Sequence, residues 1–296
     1  MQSRPAFGLP VANLQRSIRF YRDQVGLEID NDTTSPGTAL LTTPRGNQIL
    51  VAGPDAPPWD DILDDPYTVH PQNDKIFISD PEFDERLERL SGIDRSRYEL
   101  IEREWGDRML EIPDPDGYIL VLSSIRERSR DEIVELLRWG QRDLRRLSEG
   151  LSDAELSLRP DDSSWSVREV IHHVADIEIT VQHIVRVALA NSGIEYRSNP
   201  PDLNHYAREL RYQERNIETS LRQVDVIRDQ LMELVELVPD AWERSIRSST
   251  GTETTVENNL HMLATHTLEH LAQINDVRVA IGKSPKSLIT GDSRNA

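Results

Sequence analysis

Val256-Glu-Asn-Asn-Leu-His-Met-Leu-Ala-Thr-His-Thr-Leu-Glu-His-Leu-Ala-Gln-Ile-Asn-Asp-Val277 is the stretch from which the second half of the chain reads outward. At about 100° per residue, Val256, Leu260, Leu263, Ile274 and Val277 gather on one side of a helix, with His266 and His270 inside or beside that stripe. His261 falls on the outer side. Two imidazoles one turn apart on an inward face can reach one point, where polar groups without a partner are costly. That suits a metal ion, although an HxxxH pair alone is common.

A third imidazole strengthens the reading. Val167, Val170, Ile171, Val174 and Val181 define the apolar stripe of an earlier helix, and His173 sits at its edge while His172 and His183 point away. His173, His266 and His270 together would make a facial set of ligands with coordination positions left open for chemistry.

Around these histidines the chain changes character. Seven of its eight histidines lie after position 170. Residues 1–124 hold short alternating or apolar runs broken by Gly and Pro, whereas 129–282 hold long segments of 3.6-residue period. With 296 residues against roughly 100 to 200 per domain, two domains are expected, with the boundary near Ser124 to Arg128.

Composition excludes several classes. Cysteine is absent, so there are no disulfides, no thiolate ligands and no cysteine nucleophile in the chain, and any thiol chemistry needs an external thiol. The formal charge of -18 argues against a nucleic-acid surface, and lysine occurs only at 75, 283 and 286. No stretch approaches 18 apolar residues and no secretory leader is apparent, so a cytoplasmic protein without membrane association is expected.

In the first half, strands are expected at Ala6–Val11, Leu27–Asp30, Ala39–Thr43 and Gln48–Ala52, with a helix at Asn13–Val25. The pattern then recurs: strands at Lys75–Ser79, Tyr98–Arg103, Arg108–Ile112 and Tyr118–Leu122, with a helix at Pro81–Ser91. Two βαβββ modules are implied, joined by the acidic, Pro-rich stretch Gly53 to Gln72, a linker or lid in which Trp59 and Tyr67 read as packing anchors.

The motif Leu-Pro-Val-Ala-Asn-Leu-Gln-Arg-Ser-Ile-Arg-Phe-Tyr-Arg-Asp at 9–23, followed by Gly26-Leu27, and Trp105-Gly106-Asp107-Arg108 leading to Asp114-Pro115-Asp116-Gly117, resemble the vicinal oxygen chelate superfamily of glyoxalases, ring-cleaving dioxygenases and bleomycin-resistance proteins. The resemblance covers residues 4–124. Metal-using members carry His or Gln in the first strand and Glu in the last. Here Phe7 and Gly8 stand in the first strand, Val121 takes the place of the glutamate, and the inner positions near Leu50 and Phe77 are apolar. No metal is expected in this domain; Phe7, Phe77, Trp105 and Tyr118 are candidates to line an apolar ligand pocket.

The second half reads as a four-helix bundle, with helices near 129–148, 166–191, 204–238 and 255–281. Ser129-x-x-Glu132, Ser166-x-x-Glu169 and Thr254-x-x-Glu257 are capping boxes, and Gly150, Gly193 and Gly282 are stops. The charged run Arg208 to Arg215 reads as a solvated helix face, with His205 on the surface. Trp165-Ser-Val-Arg-Glu-Val-Ile-His-His173-Val-Ala-Asp176 and His266-Thr-Leu-Glu-His270-Leu-Ala-Gln273-Ile resemble the DinB/YfiT-like metal-binding bundles over residues 129–285. By that resemblance His173, His266 and His270 are the ligands.

The fold class expected is therefore α+β: paired βαβββ modules in a glyoxalase/bleomycin-resistance-like domain over 1–124, then an all-α four-helix bundle over 129–285. Three imidazoles suit zinc, nickel or iron(II) alike. Gln273 is the candidate to orient a ligand histidine, while Asp176 and Glu269 fall outside the stripes. The resemblance implies metal-dependent transfer of a low-molecular-weight thiol to a small electrophile or antibiotic, a detoxification chemistry. The alternatives are a sequestering protein whose bundle is a metal-stabilised dimerisation module, and a metal-dependent hydrolase. A small-molecule ligand and a homodimer are the expected partners.

Overall fold

The computed structural model describes residues 7–30, 35–46, 48–63, 75–91, 98–161, 164–196, 203–247 and 253–288. Tyr67 lies outside the described residues. The chain divides into two compact units, Met1–Arg126 and Glu127–Ala296.

In the first unit each module repeats one plan. Strand β1 (Phe7–Pro10) is followed by α1 (Leu14–Arg19), whose last turns widen into a π-helical segment over Phe20–Val25, and then by β2 (Glu28–Asp30), β3 (Thr38–Thr42) and β4 (Gln48–Ala52). The sheet order is β1-β4-β3-β2, with β1 and β4 parallel and the other pairs antiparallel. A short helix α2 (Trp59–Ile62) precedes the second module: β5 (Lys75–Ser79), α3 (Phe83–Ser91), β6 (Glu99–Glu102), β7 (Arg108–Pro113) and β8 (Ile119–Ser124), ordered β5-β8-β7-β6. Alternation drives both sheets: Ile76 and Ile78 enter the core beneath the helices, as do Leu9, Ile49 and Val51.

The Asp-Pro-Asp-Gly turn ties the modules together. Asp116 accepts hydrogen bonds from the Ala12 amide at 2.8 Å, from Ser17 Oγ at 2.8 Å and from Arg16 Nη2 at 2.9 Å, placing a carboxylate at the amino end of α1. Asp114 accepts from Tyr21 Oη at 2.8 Å, and Tyr118 Oη donates to the Pro10 carbonyl at 2.9 Å. The motif that carries the family resemblance is thus a structural joint.

The second unit packs α4 (Arg130–Ser148), α6 (Val167–Ala190), α8 (Ile217–Leu237) and α9 (Val256–Ala280), with a short α5 (Asp153–Leu156) after α4. Ser129 with Glu132 and Ser166 with Glu169 form the expected capping boxes. For α9 the box starts one residue later than expected, at Thr255 with Asn258, because the preceding residues pair as strand β11 (Glu253–Thr255) with β10 (Ser245–Arg247), which β9 (Ile194–Glu195) also joins.

The helix expected over 204–238 is broken. It becomes α7 (Leu203–Glu209), a 3-10 turn at Tyr212–Glu214 and then α8, with Arg211 in the left-handed region at φ 53°. Tertiary bonds override local propensity here: Tyr212 is buried with its hydroxyl on Asp176, the Arg215 carbonyl accepts from Arg168 Nη1 at 2.6 Å, and Asn216 caps α8 through the Glu218 amide. The charged run is a solvated face only in part, with Arg211 paired to Glu214 and Tyr212 turned inward.

Candidate metal centre

α6 presents His173 near its amino end, and α9 presents His266 and His270 from successive turns of its middle. Nε2 of His266 lies 3.0 Å from Nε2 of His173 and 3.0 Å from Nε2 of His270. Each histidine can offer one ring nitrogen so that all three atoms lie within 4.8 Å of one another, and the group could hold a metal ion. The ring centroids stand 5.0, 4.7 and 4.3 Å apart, and the Trp165 indole covers His173 in an edge-on contact at 5.0 Å.

The electrostatics keep these rings neutral. Burial, and next to it the charge of His270, lowers His173 to about 3. Burial lowers His270 to about 4 against the opposing Gln273 hydrogen bond. His266 is pushed well below the ordinary histidine value by burial first, then by the charges of His270, His173 and Arg228. Neutral imidazoles offer lone pairs, the form a metal requires.

Counting protons sharpens the fit. Gln273 Oε1 lies 2.7 Å from Nδ1 of His270 and so calls for an N–H there, which leaves Nε2 of His270 as a bare lone pair facing His266. A proton on Nε2 of His266 could serve only one of its two neighbours, and Nδ1 of His266 is buried without a partner. A shared cation would satisfy the crowded nitrogens together. His173, His266 and His270 would hold the ion, each through one ring nitrogen.

The other histidines sort differently from expectation in one case. His183 and His205 are exposed, and His261 is half-buried beside Arg128, its Nε2 3.2 Å from Nη1. His172, expected to point away, is fully buried against α8. Its Nδ1 is 2.8 Å from Ser220 Oγ and its Nε2 3.2 Å from the Arg215 carbonyl, so α6 is covered on the side that carries His172 as well as on the side that carries His173. Asp176 and Glu269 are half-buried rather than solvated, Asp176 because it holds Tyr212.

Reading stripes missed a buried polar layer. Arg228 on α8 donates to Glu178 of α6 through Nε at 2.8 Å, to the Leu137 carbonyl of α4 at 2.8 Å and to Thr267 Oγ1 of α9 at 2.6 Å, touching the three other long helices. Gly140 makes room for it: a Cβ there would lie 2.7 Å from Thr267 Cγ2 and 3.0 Å from Arg228 Nη1. The layer separates two apolar clusters, one around Leu137, Val181 and Leu263, the other around Leu144, Val174 and Leu271.

In the first unit the four aromatic candidates do not line one pocket. Phe7 packs on the core beneath the helices, in phase with Leu9, and Tyr118 is buried in that core. Phe77 alternates out of phase with Ile76 and Ile78 and is 68 % exposed on the other face. Trp105 lies at a turn, its Nε1 donating to Asp107 at 2.9 Å. The open face at Gly8 is instead covered from within: a Cβ there would meet the Trp59 ring at 2.5 Å and Leu63 at 2.8 Å, which makes Trp59 a packing anchor.

Comparison with known proteins agrees with this division. The DinB superfamily model matches residues 136–274, and the Glyoxalase/Bleomycin resistance protein/Dioxygenase superfamily model matches residues 5–122. YuaE of Bacillus subtilis (strain 168) is 25% identical over 146 residues, 46% of this chain and 90% of its own. The protein named "Putative metal-dependent hydrolase OB0413" from Oceanobacillus iheyensis is 26% identical over 155 residues, 49% of this chain and 84% of its own. The solved structure of YfiT from Bacillus subtilis is similar at 22% identity and a TM-score of 0.48, covering 54% of this chain and 92% of that one. Among the described residues no helix is long and apolar enough to cross a membrane. The chain is therefore similar to two families, the glyoxalase/bleomycin-resistance/dioxygenase superfamily over residues 5–122 and the DinB superfamily over residues 136–274.

Proposed function

We propose that the helical unit binds a divalent metal ion through His173, His266 and His270 and uses it to transfer a low-molecular-weight thiol to a small electrophile. One observation carries the reading: three neutral imidazoles bring their Nε2 atoms to a point that no placement of protons satisfies. Gln273 holds His270 in the tautomer that presents Nε2, and Trp165 shields His173 from water.

A divalent ion held there supplies polarisation of a coordinating thiol or carbonyl and a lowered thiol pKa. The three ligands come from two helices only, α6 and α9. In the transfer the thiol proton passes to solvent, sulfur bonds to the electrophilic carbon, and the leaving group departs with the electron pair of the broken bond. The absence of cysteine means the thiol comes from outside the chain. The DinB match supports the thiol reading. The name of OB0413 favours a second reading, hydrolysis, in which water replaces the thiol as nucleophile.

The test uses tag-free protein. Stoichiometric divalent metal is expected in the parent and not in His173→Ala or His270→Ala. Parent protein with a panel of thiols and electrophiles is expected to consume free thiol in a chelator-sensitive way. Protein without metal, or variants that bind as well as the parent, would overturn the site. Chelator-sensitive ester or amide cleavage without thiol loss would select hydrolysis.

A further inference from the structure

Among the buried side-chain atoms without a hydrogen-bond partner in the described residues of the second unit, two are complementary: Nδ1 of His266 and Oε2 of Glu178. If Nε2 of His266 faces a cation, the single proton of its neutral ring sits on Nδ1, which becomes a buried donor in need of an acceptor. Glu178 is fully buried, and both Arg228 contacts, from Nε and Nη2, fall on its Oε1. A fork-to-fork pair would have used both oxygens. This one leaves Oε2 free to accept.

The same guanidinium brings the two groups into one neighbourhood. Its Nη2 also donates to Thr267 Oγ1, on the residue that follows His266, and Thr267 Oγ1 passes its own proton to the Leu263 carbonyl, so the layer is anchored on α9 beside the ligand. The pair is too deep for bulk solvent to serve either atom.

We propose that Glu178 is the positioning residue of the metal centre: one buried water accepts the Nδ1 proton of His266 and donates to Oε2 of Glu178. The inference rests on the metal reading above. Such a water satisfies two otherwise orphaned groups. The relay fixes the tautomer and ring angle of His266 and makes its Nε2 a stronger donor to the ion. Arg228 neutralises the carboxylate charge without consuming the oxygen that the relay needs.

Zinc titrated into the full-length, metal-free chain in competition with a chromophoric chelator reads the effect. Glu178→Gln keeps volume and one oxygen for Arg228 but removes the second acceptor, and zinc affinity is expected to fall about 10- to 100-fold. The zinc-loaded parent, crystallised, is expected to show a water within hydrogen-bond distance of both Nδ1 and Oε2, which a merely structural ion pair would not require. That measurement decides the matter alone if Glu178→Gln does not fold. Stoichiometric zinc in the parent with equal affinity in Glu178→Gln, or a loaded structure with no such water, overturns this inference and leaves the metal site standing. A parent that binds no zinc overturns both.

Discussion

Gln273 Oε1 stands 2.7 Å from Nδ1 of His270, one helical turn earlier on α9, and fixes which nitrogen of that histidine is bare. Gln273→Leu removes the acceptor while keeping the volume. Metal affinity is expected to fall roughly 10- to 100-fold with the unfolding transition nearly unchanged. Chelator competition alongside thermal melting of the metal-free protein checks it, and unchanged affinity would count against the orienting role.

Gly140 faces Thr267 and Arg228 at distances that leave no space for a methyl group. Exchange of a helical glycine for alanine ordinarily gains about 1 kcal/mol, whereas overpacking a tight core costs about 1–3 kcal/mol. Because Thr267 and Arg228 are held by hydrogen bonds, the second effect wins: Gly140→Ala should lower stability by about 1–2 kcal/mol, read as a lower denaturant midpoint.

Stability of the metal-free protein should fall with acidification. His172 is lowered to about 4 by burial, His173 to about 3 and His270 to about 4. In the unfolded chain these rings bind protons near the ordinary histidine value of 6.5. Below that pH the unfolded state therefore holds more protons than the folded one. The loss runs from about pH 6.5 down to about 3–4, at most about 1.4 kcal/mol per pH unit for each histidine. Urea unfolding at pH 7.5, 6 and 5 measures the slope, and a flat profile would contradict the buried neutral rings.

Gly8→Ala should act in the first unit alone. The added methyl would meet the Trp59 ring and Leu63, and the ring, rather than the paired strand, must move. A loss of about 1–3 kcal/mol is expected, with a change in tryptophan emission that disappears in a Trp59→Phe background.

Much of this architecture was legible beforehand, for identifiable reasons. Period-two runs such as Lys75–Ser79 gave both modules, and hydroxyl-to-carboxylate boxes at Ser129 and Ser166 gave two helix starts. The histidine trio was legible because all three rings interrupt or border apolar stripes. The break at Arg211 was not, since it depends on Tyr212 reaching Asp176 and on the bonds to the Arg215 carbonyl, contacts distant in sequence. His172 was misread because a helix with neighbours on two sides has no simple outward face. The polar layer did leave a signal. Gly140, Glu178, Arg228 and Thr267 each interrupt a heptad-spaced apolar row, for example Leu221, Val224, Arg228, Leu231 and Val235. One interruption per long helix, read together, would have marked a shared level.

That shared level also governs how the bundle can be put together wrongly. A helix sliding by one turn against its neighbours would still find leucines and valines to pack on. Arg228 would then meet hydrocarbon instead of Glu178, the Leu137 carbonyl and Thr267, and the penalty for stranding a charge would far exceed any gain in contact. The single guanidinium thus serves as an alignment key: only one longitudinal setting of α8 is tolerated, and it is the setting observed here, with His173 opposite His266 and His270.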